Sequence, residues 1–123
     1  MKKLLAILMA VAMLFTFAAC GGNDAPPAGD MAYVQGKGTL VVGITDFAPM
    51  DYKAKGSDEW IGFDADMAKE FAKYLGVEVE FVEIVWDQKV MELNGKNIDC
   101  VWNGMTLNDQ VLASMSCSDA YCV

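Results

Sequence analysis

The sequence predicts an α/β fold with a parallel-sheet core and flanking helices. Three observations point to it. Strand-like apolar segments occur at residues 40–44, 77–86 and 98–102; a strongly periodic helix and then a shorter one separate them; and a third helix start follows the last. Strands joined through helices by right-handed crossovers run parallel in one sheet. No internal repeat is visible.

Each element has its own signal. Leu40, Val41, Val42 and Ile44 make a short apolar run broken by Gly43, which suits a strand covered on both faces. TDFAPMDY (45–52) reads as a loop, because Pro49 cannot donate to a ladder, and Tyr52 leads into the turn AKGSD. Asp64 is placed to cap a helix through Leu75, in which Met67, Ala68, Phe71, Ala72 and Leu75 recur at spacings of three and four. Gly76 suits its end. In VEVEFVEIVW (77–86) the apolar phase passes from Val77, Val79 and Phe81 to Val82, Ile84 and Trp86, which predicts a bulge or strand end near Phe81. Asp87 is placed to cap a second helix carrying Val90, Met91 and Leu93, closed by Asn94 and Gly95.

The N-terminus reads as a targeting segment. Lys2 and Lys3 precede an uncharged, mostly apolar run at 4–19, a little short of the roughly 20 apolar residues that span a bilayer, ending in Ala18 and Ala19 before Cys20. FAAC resembles a lipobox, with Phe17 where that pattern usually has Leu, so Cys20 is the expected lipidated residue; the alternative is an uncleaved single-pass anchor. GGNDAPPAGD (21–30) has the composition of a flexible leash. The expected organisation is a signal at 1–19, a tether at 20–36 and a folded unit at 37–123.

Nine lysines face seventeen carboxylates, and loss of 1–19 removes two of the lysines, taking the net charge from −8 to −10. Nucleic acid and anionic lipid are poor partners for such a chain. The sequence holds no His and no Arg, which excludes His-based catalysis and any bidentate guanidinium clamp from this chain. Neither a metal-ligand spacing nor a cofactor motif is present. Cys100, Cys117 and Cys122 follow Cys20; Cys117 and Cys122 are close enough in sequence to pair, and free thiols are the alternative. Asp46, Asp87 and Asp109 read as a loop acid and helix caps, not as a catalytic set.

Open parallel sheets bind ligands at the carboxyl ends of their strands. The three turns expected there carry Asp46 and Phe47, then Trp86, then Asn103, Gly104, Met105 and Thr106. Two aromatic rings, a bare turn and a hydroxyl suit a small zwitterion: rings against its carbon skeleton, and the Thr106 amide at a helix start toward its carboxylate.

GFDADMAKEFAKYLGVEVEFVEIVWD, then NGKNIDCVWNGMTLND and SDAY, resembles the extracellular solute-binding proteins of family 3, over residues 38–123. The resemblance implies the first lobe of a periplasmic binding protein-like II fold, cut before the second lobe, in a receptor about twice as long. It implies Phe47 and Trp86 as aromatic ligand walls, Asn103 and Gly104 as the ammonium- and backbone-contacting pair, and Thr106 as the carboxylate-contacting hydroxyl. Two departures stand out. Val111 occupies the position of the family's carboxylate-gripping Arg, and SCSDAYC (116–122) places Ser116 and Cys117 before the motif and Ala120 where the family has Pro. The expected function is a lipid-anchored receptor outside the cytoplasm, capturing amino acids or related polar solutes between two lobes and delivering them to an ABC permease. The same fold also carries dehydratases, modules of lytic transglycosylases and sensor domains of membrane kinases, which are the alternatives.

Overall fold

A computed structural model describes residues 29–122; the expected signal, Cys20 and the tether as far as residue 28 lie outside the described residues. In chain order the elements are α1 (Asp30–Lys37), β1 (Thr39–Ile44), β2 (Tyr52–Lys53), β3 (Trp60–Ile61), α2 (Phe63–Leu75), β4 (Glu78–Glu83), a 3₁₀ turn (Trp86–Gln88), α3 (Lys89–Asn94), β5 (Cys100–Val101) and α4 (Asp109–Ser114). The sheet order is β4-β1-β5, with both pairings parallel. This is the expected strand–helix alternation, with an antiparallel hairpin of β2 and β3 added between β1 and α2.

The middle strand explains the core. β1 has neighbours on both edges, and Leu40, Val42 and Ile44 are 4%, 0% and 0% exposed. Burying such a side chain stabilises by roughly 1.5–3 kcal/mol relative to leaving it in water. Val34, Ala68, Ala72 and Leu75 cover Leu40 and Val42, while Trp60 and Ala65 surround Ile44. The alanines of α2 let the helix lie close to the strand. Gly43 works the same way: a Cβ there would meet the Ile98 Cδ1 at 2.6 Å.

Four expectations are corrected. First, α1 occupies residues assigned to the tether. Val34 is buried, the Gln35 Nε2 donates to the Leu75 carbonyl at 3.2 Å, and the Lys37 Nζ pairs with Asp99 at 2.6 Å. Asp99 also accepts from the Val41 amide at 2.7 Å, so one carboxylate ties α1 to the start of β1. The folded unit therefore begins by residue 30; a helix of two turns is stable there because tertiary packing, not propensity, holds it. Second, β4 contains no bulge. Its register with β1 runs unbroken from Thr39–Glu78 to Ile44–Glu83, so of the two expected outcomes it is the strand end near Phe81 that is found, at Glu83, two residues on. The phase change reflects an edge strand whose two faces are both partly covered, since Val79, Phe81 and Val82 are all half-buried.

Third, the caps differ. Gly62, not Asp64, precedes α2, and the helix's first amides are taken by carbonyls of the preceding loop: Phe63 donates to Pro49 at 3.3 Å and Asp64 to Met50 at 2.9 Å. Among the described residues no side chain caps the 3₁₀ turn or α3, so Asp87 is not a cap. At α4 the cap is Asn108, whose Oδ1 accepts from the Val111 amide at 3.0 Å, and Asp109 is the first helical residue. Fourth, residue 106 is not at a helix start, because α4 begins three positions later.

Candidate functional site

The segments leaving the carboxyl ends of β1, β4 and β5 converge on one cleft of about 380 Å³. Phe47, Trp86, Asn103, Gly104, Met105 and Thr106 all line it, together with Thr45, Lys89, Asn108 and Val111. Asp46 does not line it and is exposed. Thr45 and Phe47 face the cleft on either side of it, as the two-residue alternation of an extended segment requires.

Phe47 leaves β1 in a tight turn. Its amide donates to the Asp51 carbonyl at 2.6 Å, and its carbonyl accepts from the Met50 and Asp51 amides at 2.9 and 3.0 Å. The turn rests on the N-terminus of α2 through the Pro49 and Met50 carbonyls, so the ring is held from behind by a helix. The ring remains 51% exposed. It lies over Gly104, where a Cβ would stand 2.8 Å from the Phe47 Cε1. Gly104 is therefore small first of all to accommodate this ring, a role that the expected ligand-to-backbone approach did not include.

Asn103 is 8% exposed and uses both ends of its amide on Thr45. Its Oδ1 accepts from the Thr45 amide at 3.3 Å and its Nδ2 donates to the Thr45 Oγ1 at 2.8 Å. These bonds lock the end of β5 to the end of β1 and fix the floor; the amide keeps a second hydrogen and a second lone pair for a ligand. Trp86 opens the 3₁₀ turn and is half-buried. Lys89, one turn on, has its Nζ 4.5 Å from the Trp86 ring centroid and 3.2 Å from the Trp86 carbonyl.

Thr45, Lys89 and Asn108 escaped the sequence reading. Lys89 carries a findable signal, since three residues after Trp86 on a helical turn places it beside the ring. Thr45 and Asn108 carry none beyond adjacency to a strand end and a helix start.

Behind the Phe47 turn sits a buried acid pair. Asp51 and Asp64 are both 0% exposed. The Tyr121 hydroxyl donates to the Asp64 Oδ1 at 2.7 Å, fastening the SDAY segment to α2. Among the described residues neither Asp51 oxygen has a hydrogen-bond partner. Burial and the Asp64 charge push the Asp51 carboxyl up to about 7, and the Ala65 amide opposes this without reaching hydrogen-bonding geometry. Burial, then Asp64, raises the Tyr121 phenol. Cys100, Cys117 and Cys122 are free thiols, and burial beside Asp99 pushes Cys100 up to about 12.

The sequence profile of the bacterial extracellular solute-binding proteins, family 3, matches residues 40–123. The chain belongs to that family. It is 32% identical to the arginine-binding extracellular protein ArtP of Bacillus subtilis over 98% of this chain and 45% of ArtP. It is 37% identical to the L-cystine-binding protein TcyA of the same organism over 89% of this chain and 44% of TcyA. Among solved structures, the ancestral amino acid-binding protein AncCDT-1, described as a precursor of cyclohexadienyl dehydratase, superposes with a TM-score of 0.62 at 39% identity, over 67% of this chain and 36% of its own. The family 3 chain thus spans a little under half the length of these curated relatives, and its parallel α/β unit corresponds to one lobe of a periplasmic amino acid-binding fold.

Proposed function

We propose that this chain forms one wall of the solute site in a substrate-binding protein of an ABC importer, which closes on an amino acid or related polar solute and presents it to a permease. The observation that carries this reading is the convergence of two aromatic residues, Phe47 and Trp86, with the turn of Asn103, Gly104, Met105 and Thr106, which brings a side-chain amide and a hydroxyl, on one cleft at the strand ends. Rings on the sides and polar groups beneath suit a small molecule with an apolar skeleton and charged ends. Closure would work by population shift, the solute favouring the state in which both lobes touch it. The names of ArtP and TcyA support binding over catalysis. Attachment through a lipid on Cys20, with the leash before α1 holding the lobe near the outer face of the cell membrane, belongs to the same proposal.

The test uses the full-length protein and a panel of amino acids, amines and small peptides, read by thermal shift and tryptophan fluorescence. At least one amino acid raises the melting temperature and changes the fluorescence. Trp86→Ala and Phe47→Ala each weaken that binding by tenfold or more, because each removes a large apolar wall. A wild-type protein indifferent to the whole panel overturns the reading.

A further inference from the structure

The cleft has an electrostatic asymmetry that its aromatic walls do not explain. Among the described residues, ten line it, and Lys89 is the single charged side chain of those ten, in a chain whose net charge is −8. Val111, which is 9% exposed, lines the cleft from α4 with an apolar side chain. Lys89 reaches the same cleft from the first turn of α3. Its ammonium is not splayed into solvent: the Trp86 carbonyl accepts one of its hydrogens at 3.2 Å, and the indole face lies 4.5 Å away. A lysine ammonium has three donors, and this arrangement holds it in place while using one.

We propose that Lys89 is the carboxylate anchor of this cleft, so that the solute is a carboxylate-bearing molecule oriented with that group toward α3 beside Trp86, instead of toward α4. The inference rests on the receptor reading above and adds the ligand's charge and orientation. An ammonium on an indole ring at a cleft wall favours an anion next to it for two reasons. Charge-assisted hydrogen bonds are about twice as strong as neutral ones, and the apolar ring lowers the local dielectric. At α4, Val111 presents an apolar side chain suited to the solute's carbon skeleton, and the uncharged Asn108 spends its Oδ1 on the Val111 amide, so among the described residues of the cleft only Lys89 offers a carboxylate a full positive charge.

The experiment compares each acid with its decarboxylated amine on the full-length protein by isothermal titration: L-arginine with agmatine, L-histidine with histamine, L-cystine with cystamine. In the wild type, the acid of whichever pair binds does so at least tenfold more tightly than its amine. Lys89→Gln loses about tenfold for the acid and leaves the amine unchanged, collapsing the ratio, while Lys89→Arg preserves it. An acid-to-amine ratio that stays the same in Lys89→Gln overturns the anchor and leaves the receptor reading standing. A wild type that binds none of the six probes overturns the anchor for these solutes, and the receptor reading falls only if the wider panel of amino acids, amines and small peptides is silent as well.

Discussion

Replacing Asp51 with Asn is expected to stabilise the folded protein by about 2–4 kcal/mol at pH 8 and to leave its stability near pH 4 almost unchanged. Asp51 is 0% exposed, faces the Asp64 carboxylate, and has a carboxyl raised from 3.8 to about 7. Between those two values the folded chain keeps a proton that the unfolded chain has released. Stability conferred through this group is therefore complete below about pH 4, falls as pH rises, and is lost above about 7. Asparagine has the shape of the acid and no charge to lose, so the fall should disappear. The groups facing Asp51 are Asp64 on α2 and Tyr121 from the SDAY segment, and neither is altered by the change. Urea midpoints for both proteins at half-unit steps from pH 4 to 8 decide the matter: parallel curves would mean that Asp51 is hydrated or paired in solution. The result bears on the site, because Asp51 closes the turn that carries Phe47.

Gly62→Ala should cost about 3 kcal/mol or more and weaken solute binding at the same time. Two penalties add. Gly62 has φ 119°, a region that side-chain-bearing residues rarely adopt, and a Cβ there would stand 2.4 Å from the Met50 oxygen and 2.8 Å from the Pro49 oxygen. Those obstacles are backbone, and they are the same carbonyls that accept from the first amides of α2. Relieving the clash means releasing the cap, and the Phe47 turn moves with it. Gly43→Ala is the control: its Cβ also falls short, at 2.6 Å, but against the tip of the Ile98 side chain, which can rotate. A loss of about 1–2 kcal/mol is expected there, with binding intact. Equal losses at the two positions, read by the same urea midpoints, would refute the distinction between a backbone and a side-chain obstacle.

Much of the fold was legible because its signals are local. The run around Val42 announced a strand covered on both faces, and it is the middle strand. The three-and-four spacing from Ala68 to Leu75 announced α2, whose buried residues include Ala68, Ala72 and Leu75. Glycine placed the end of α2: Gly76 has the left-handed φ of 74° that its position as a terminator implied. The caps were misread for a physical reason. An acid just before a helix is a good cap only if no other acceptor reaches the free amides first, and the Pro49 and Met50 carbonyls each come from fourteen residues upstream of the amide they accept from. The hairpin of β2 and β3 was missed because two-residue strands leave no period to read. Helix α1 was missed because its single deeply buried residue, Val34, does not make a stripe.

The sequence by itself determined the strand–helix alternation, the family, and the composition of the cleft: rings from two turns and a small polar third turn, gathered wherever a parallel sheet brings its carboxyl ends together. Only the tertiary structure decided which neighbour each of those residues has. Gly104 makes room for the Phe47 ring, Asn103 is bonded to Thr45, Lys89 is held on the indole of Trp86, and Asp46 is turned away. The reason is range. Periodicity and turn chemistry act over a few residues along the chain, whereas these contacts join positions as much as 58 apart, and their geometry exists only after the three strands have paired.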